Sequence, residues 1–332
     1  MAKLRVLIVG TGSIGERHLR CFAATGRAEL ALCEVDDERR RVVAERYGVP
    51  HAFASIEAAA CDQIDAAVLA IPAPLHVPMA TRLADAGVHL LIEKPLSTSL
   101  DGIARLQQIV ADRGIRAAVA YVYRAHPSIQ AMRRAIADGR FGRPVEIVAI
   151  AGQHFPTYRP AYRSIYYNDR AAGGGAIQDA LTHIVNAGEF LVGPVDRVMA
   201  DAAHQVLDGV DVEDTVHVLT RHGDVLGSYT LNQHQAPNEM SITVIGDRGT
   251  ARFDMHNARW RWMTDPGGAW HDEPECSRER DALFMAQAHA FLDLIEGGSP
   301  PLCSLDEGLQ TLRVNLAILA AVARPAWQTI QF

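Results

Sequence analysis

Three observations predict an α/β chain. Short apolar, β-rich runs alternate with helix-length amphipathic segments in the first half. A glycine-rich turn follows the first run, and the second half changes to closely spaced strand-like stretches separated by turns. The fold class they give is a doubly wound parallel sheet followed by an α+β domain on a mostly antiparallel sheet. At 332 residues the chain suits two domains, here 1–123 and 124–332.

In chain order, Leu4–Val9, Leu30–Val35, Ala66–Ile71, Val88–Ile92 and Ala117–Val122 read as strands with helical patterns between them. The unbroken apolarity of Val6-Leu7-Ile8-Val9 and Ala66-Ala67-Val68-Leu69 suits strands covered on both faces. A helix is expected around Pro127 to Asp138. Beyond it, Val145–Ala151, Val198–His204, Thr215–Thr220, Leu226–Gln233 and Ile242–Ile245 read as an antiparallel sheet. One helix, roughly Ala176 to Leu191, interrupts these strands, and two more near Ala282–Ile295 and Leu305–Ala323 close the chain. Alternation in Val216-His217-Val218 and Ser228-Tyr229-Thr230-Leu231 leaves one sheet face in need of cover, so a homodimer or homotetramer is expected.

Hydrophobic residues at 48% and charged residues at 21% form an ordinary globular mix, which excludes disordered and collagen-like classes. The net charge of -7, with no basic stripe, argues against a nucleic-acid partner. Cys21, Cys33, Cys61, Cys276 and Cys303 contain no C-x-x-C pair, which suits a reducing compartment and no zinc knuckle. The apolar run after Arg5 stops at Gly10, too short for a signal peptide, and no run approaches a membrane span. A cytoplasmic protein with no membrane partner and no bound metal is expected.

The first strand runs into Gly10-Thr11-Gly12-Ser13-Ile14-Gly15, and Glu34 follows 19 residues beyond Gly15 at the end of the second strand. Strand, G-x-G-x-x-G, helix and a distant acid make up the dinucleotide-binding fingerprint of a Rossmann domain. Gly10 makes the tight turn, Gly12 admits the pyrophosphate to the helix N-terminus, and Gly15 lets helix and strand pack closely. Glu34 is expected to accept the adenosine ribose hydroxyls and to repel a 2′-phosphate, which favours NAD over NADP. Arg39 and Arg40 are the residues that could rescue a phosphate. A solvated strand-end carboxylate is the plainer reading of Glu34.

Glu93-Lys94-Pro95 stands at the end of the fifth strand, and Gly173-Gly174-Gly175-Ala176-Ile177-Gln178-Asp179-Ala180-Leu181-Thr182-His183 lies in the second half. With the N-terminal fingerprint these resemble the three signatures of the Gfo/Idh/MocA family, the glucose-fructose oxidoreductase and inositol dehydrogenase relatives. The resemblance spans nearly the whole chain and includes Pro72-Ala73-Pro74-Leu75-His76 and Ala120-Tyr121-Val122-Tyr123-Arg124-Ala125-His126-Pro127. Ala73 departs from the usual Asn, which weakens a polar cofactor contact there.

The resemblance implies a second domain with a large open sheet that mediates oligomers. It also implies hydride transfer between a nicotinamide and a carbinol of a sugar, sugar acid or cyclitol, and cofactor contacts at Ser13, Ile14, Pro72, His76, Glu93 and Lys94. Taking hydride from a secondary alcohol needs a base for the hydroxyl proton, and Lys94 ends a parallel strand, where open α/β sheets bind ligands. Pro95 restricts Lys94 to extended geometry, and the resemblance implies a cis Lys94-Pro95 bond. Asp179 and His183, spaced i, i+4, share a helix face. By resemblance His183 exchanges the carbinol proton, Asp179 orients substrate and imidazole, and Lys94 polarises the same oxygen; the sequence leaves open whether His183 or Lys94 takes the proton.

Candidate substrate contacts are Tyr123, Arg124, His154, Tyr158, Arg163, Tyr166 and Tyr167, and Arg163 with Arg159 suits a carboxylated sugar. Trp260, Trp262 and Trp270 read as sheet or interface packing, and Asp211, Glu213 and Asp214 as solvated strand-edge acids. Two other readings remain: a tightly bound NAD cycled in sugar-sugar exchange or glycoside cleavage, and a noncatalytic NAD-binding sensor.

Overall fold

The computed structural model describes residues 3–59, 63–274, 279 and 281–331. Cys61 and Cys276 lie outside them. The chain packs as two compact units, Met1–Ala125 with Arg280–Leu309 and His126–Glu279 with Gln310–Phe332. Its strands are β1 (Leu4–Val9), β2 (Ala28–Cys33), β3 (His51–Phe53), β4 (Ala66–Leu69), β5 (His89–Ile92), β6 (Ala117–Val119), β7 (Pro144–Gly152), β8 (Arg197–Ala203), β9 (Thr215–His222), β10 (Val225–Asn232), β11 (Glu239–Gly246), β12 (Gly249–Asp254), β13 (Arg259–Met263), β14 (His271–Asp272) and β15 (Gln328–Thr329). Its α-helices are α1 (Ser13–Ala24), α2 (Asp37–Tyr47), α3 (Ile56–Ala59), α4 (His76–Asp85), α5 (Ile103–Asp112), α6 (Pro127–Ala137), α7 (Phe155–Tyr158), α8 (Thr182–Val192), α9 (Ala282–Ile295) and α10 (Leu305–Ala323).

The first unit is a six-stranded parallel sheet in the order β3-β2-β1-β4-β5-β6. β1 and β4 are central, and Val6, Leu7, Ile8, Ala66, Ala67, Val68 and Leu69 are fully buried, as their apolarity on both faces requires. α1 lays Leu19 and Phe22 on this core, and α9 adds Phe291 and Leu292 to the same cluster. That packing draws residues 280–309 into the first unit, whereas the sequence-based division assigned everything after 123 to the second; an apolar helix face does not reveal which core it covers. β2 begins and ends two residues earlier than expected, so Glu34 stands just beyond it. β3, only three residues long, was not anticipated.

The second unit is a nine-stranded sheet in the order β14-β13-β12-β11-β7-β10-β9-β8-β15. Its neighbours are antiparallel except β7 and β10, which run parallel with Val148 opposite Ser228. The sheet is mostly antiparallel, as expected, with this one parallel pair, because the connection from β7 to β10 passes through α8 and two intervening strands. Trp260 of β13 is buried edge-on to Phe141, and Trp262 stacks on His271, so both are packing residues. Among the described residues no helix is long and apolar enough to cross a membrane.

Two of the strand-edge acids are not solvated. Asp214 is fully buried and accepts the N–H groups of Gln205, Val206 and Leu207 and the Thr215 hydroxyl. Asp214→Ala would leave the buried Leu207 N–H without an acceptor and free the more exposed Gln205 and Val206 N–H groups to water, so we expect it to cost about 1–3 kcal/mol, the range for one orphaned buried group, read by urea unfolding. Burial alone would raise the Asp214 pKa, but these hydrogen bonds outweigh it and hold the carboxyl below its ordinary range. A folded value below the unfolded one of about 3.9 means that the stabilisation is present above about pH 4 and is lost as pH falls through the folded value. Asp214→Asn should show a flatter acid limb in the same unfolding series.

Candidate active site

The glycine loop has the shape that a pyrophosphate requires. Gly10 adopts φ +84°, and its N–H donates to the Cys33 carbonyl at 2.8 Å. A Cβ there would stand 2.5 Å from the Ala70 carbonyl oxygen, and one on Gly15 would collide with the Gly10 carbonyl. At Gly12 a Cβ would meet nothing within 4 Å. Gly12, Ser13 and Ile14 are exposed, and no side chain caps α1. The first turn thus presents its N–H groups to open space with the positive end of the helix behind them, which fits a dinucleotide phosphate.

Glu34 is neither solvated nor idle. It is 6% exposed; Oε2 accepts the Thr11 N–H at 2.9 Å and the Thr11 hydroxyl at 3.0 Å, and Oε1 accepts the Asp36 N–H at 3.1 Å. Burial would raise its pKa, but these donors, with Arg39 nearby, outweigh burial and hold the carboxyl below the usual range. A charged carboxylate therefore braces the glycine loop. Thr11 escaped the sequence reading, although a hydroxyl between the first two glycines with an acid after β2 was its signal. Arg40 donates to the Glu34 carbonyl oxygen and to Asp37, and Arg39 lies 3.9 Å from Glu34.

At the end of β5 the Lys94-Pro95 bond is cis. Glu93, expected at the cofactor, is instead buried, with Oε1 2.7 Å from His18 Nε2 while Oε2 accepts the Lys94 N–H at 3.1 Å. His76, also expected there, is 1% exposed with Nδ1 2.9 Å from the Pro95 carbonyl oxygen and Nε2 2.8 Å from that of Ile71. Burial pushes its imidazole below the ordinary range despite those carbonyls. Pro72 caps the short turn that leads into α4. Lys94 itself is half-buried. A signal that the sequence reading passed over singles it out: of 32 Lys and Arg, only Lys3 and Lys94 are lysines. A guanidinium cannot give up its proton and a lysine ammonium can, so a lysine in an arginine-rich chain marks a group able to move a proton.

In the second unit the helix that carries Asp179 and His183 is not regular. Ile177–Leu181 form one turn of π-helix before α8 begins at Thr182, a feature common at functional sites. Asp179 is 3% exposed and accepts the Tyr166 hydroxyl at 2.6 Å and Arg159 at 3.4 Å, while His183 is half-buried. Glu213, the second acid found buried, anchors this helix. It accepts the Ile177 N–H and Arg170 through its carboxylate and the Ala176 N–H through its carbonyl.

Of the expected substrate contacts, the structure brings Tyr166 to Asp179, and with it Arg159. Tyr158 and Arg163 are exposed, the latter bonded to the Asp208 carbonyl; His154 meets the Thr157 hydroxyl at 2.7 Å, and Tyr123 is half-buried. Arg124 does not belong with them: it is 2% exposed and donates to Glu307 at 2.5 Å and to the Leu302 carbonyl. Nor does Tyr167, which is buried with its hydroxyl on Gln233 and its ionisation suppressed, chiefly by burial and further by Asp179 and Glu213. Among the described residues no group of three His, Cys, Asp or Glu could hold a metal ion.

Two family profiles match this sequence: an oxidoreductase family with an NAD-binding Rossmann fold over residues 4–121, and the GFO/IDH/MocA C-terminal domain over residues 129–252. The chain is 27% identical to inositol 2-dehydrogenase of Rhizobium meliloti, over 96% of this chain and 97% of that protein. It is 30% identical to D-xylose 1-dehydrogenase (NADP(+)) 2 of Haloferax volcanii, over 61% of this chain and 62% of that one. The structure of the WlbA dehydrogenase from Bordetella pertussis, in complex with NADH and UDP-GlcNAcA, superposes with a TM-score of 0.83 at 26% identity and covers 100% of both chains. With both of its halves matched, the chain belongs to the Gfo/Idh/MocA family of NAD(P)-dependent oxidoreductases.

Proposed function

We propose that this protein oxidises a secondary carbinol of a sugar, sugar acid or cyclitol with NAD. The observation that carries the reading is Lys94, a lysine just beyond the carboxyl end of a parallel strand in a chain whose one other lysine is Lys3. When bound, the nicotinamide supplies the hydride acceptor. The carbinol hydrogen would leave with the C–H electron pair, and the hydroxyl proton would pass to Lys94 or His183. Asp179, gripped by Tyr166 and Arg159, orients the substrate and the imidazole. Tyr123, His154, Tyr158, Arg163 and Tyr166 supply substrate contacts, and Arg159 with Arg163 suits a carboxylated sugar. The names of the relatives, which include an inositol dehydrogenase and a structure holding a UDP-linked sugar acid, support this substrate class.

The test is a screen of D-glucose and other aldoses, D-glucuronate and myo-inositol with NAD and with NADP, followed by nicotinamide absorbance. Net NADH formation with a polyol or sugar is the expected result. Turnover without net absorbance change would favour a cofactor cycled in place, and binding with no turnover would favour a sensor. NAD is the expected preference, because a charged Glu34 just beyond β2 is placed by the fingerprint to repel a 2′-phosphate. Cys21, Cys33 and Cys303 are buried and the sequence has no C-x-x-C pair, which supports a reducing, cytoplasmic setting.

Assembly through the open sheet is part of the same reading. Ile150, Leu219 and Leu226 are 40%, 52% and 51% exposed on strands β7, β9 and β10. We expect a homodimer or homotetramer in sedimentation at micromolar concentration, and Leu219→Asp with Leu226→Asp to release monomers. A monomeric wild-type protein would contradict this.

A further inference from the structure

We propose that two buried histidines, His18 and His76, are positioning residues that hold the backbone on either side of Lys94; the inference rests on the reading of Lys94 as a proton-handling group. A lysine side chain is long and rotatable, so its amine can be aimed only if the chain that carries it is fixed first. Before Lys94, His18 on α1 holds Glu93 Oε1 at 2.7 Å, and the other oxygen of that carboxylate accepts the Lys94 N–H at 3.1 Å. After it, His76 at the start of α4 places Nδ1 2.9 Å from the Pro95 carbonyl oxygen and Nε2 2.8 Å from the Ile71 carbonyl oxygen. The neutral ring has one N–H, which donates to one of these two carbonyls, and it lies between the segments that leave β4 and β5.

Both histidines are 1% exposed, and the His18 ring stands edge-on to Phe284 at 5.5 Å. Polar groups this deep cost stability unless paired, and an apolar residue of similar size would serve packing alone. What the pair supplies is direction: each ring ends on an atom of residue 93 or 95, the two neighbours of Lys94.

The scarcity of lysine makes the test direct. Protein labelled with ¹⁵N-lysine shows two backbone amides, Lys94 and Lys3, and the second serves as a control. His18→Leu and His76→Leu should move the Lys94 amide signal and speed its hydrogen exchange, leaving Lys3 unchanged. His18→Gln, whose amide falls near Nε2, and His76→Asn, whose amide falls near Nδ1, should restore most of the wild-type signal. With whichever of myo-inositol, D-glucuronate or D-glucose is oxidised, the leucine variants should lose about 10²-fold in kcat, as for a misplaced catalytic group, with KM for NAD unchanged.

An unmoved Lys94 amide in both leucine variants would overturn the proposal. So would an equal kcat loss in the leucine and amide variants or, where Lys94→Ala is itself impaired, a normal kcat despite a displaced amide. If a leucine variant does not fold, Glu93→Gln keeps the shape and tests the same link, since a neutral oxygen should weaken the bond to the Lys94 N–H and shift that signal. Normal turnover in Lys94→Ala would sink the catalytic reading while leaving the amide response, and so the positioning, standing.

Discussion

Lys94→Ala and His183→Ala are each expected to cut kcat by about 10²- to 10⁴-fold, the span for a positioned acid or base. NAD affinity should survive both changes if, as proposed, the phosphate and ribose contacts belong to Gly10–Gly15 and Glu34. Asp179→Asn should fall between them and wild type. It keeps the shape that meets Tyr166 and Arg159 but loses the charge. The double Lys94/His183 variant should lose less than the product of the singles, since catalytic groups that act as a unit are not additive. Steady-state kinetics and calorimetry on the four variants check this. Near-wild-type turnover in either alanine variant would remove that residue from the mechanism, and in both would favour a sensor.

Glu34→Ser is expected to reduce the preference for NAD over NADP by about 10²-fold, since juxtaposed like charges cost several kcal/mol and each 1.4 kcal/mol is tenfold. The variant has two effects of different sign. Removing the carboxylate relieves the repulsion of a 2′-phosphate and leaves Arg39 and Arg40 beside it. It also strips Thr11 of the acceptor for its N–H and hydroxyl, so the glycine loop loosens and NAD affinity itself should fall. Calorimetry with both nucleotides separates the two effects. Wild-type protein that bound NADP more tightly would overturn the assignment.

The first unit was largely legible because its signals are local. Continuous apolarity marks β1 and β4, and the glycine spacing marks a turn that only glycine can make. What escaped depends on contacts distant in sequence. Glu213 and Asp214 look like edge acids, yet each is buried because backbone N–H groups converge on it. Glu93 and His76 read as cofactor contacts, but their polar atoms are taken up by His18 and by two carbonyls. Arg124 lies beside Tyr123 in sequence but pairs with Glu307, and no spacing rule shows that. The parallel β7–β10 pair and the packing of α9 on the first core are also relations between distant segments.

The wide turn at Ile177–Leu181 carries a consequence of its own. A π-turn is an α-helix with one residue too many, and removing Ala180 would let hydrogen bonding run uninterrupted into α8. Each residue of an α-helix advances about 100° around the axis, so the shortened helix would be the better-formed one, with Asp179 swung about a quarter turn away from its bearing relative to His183. Length and register at this point are in conflict with local stability, as in a trade of stability for activity. A chain under selection for thermal endurance alone would shed that residue, and one that must keep its carboxylate and imidazole in step has to keep it.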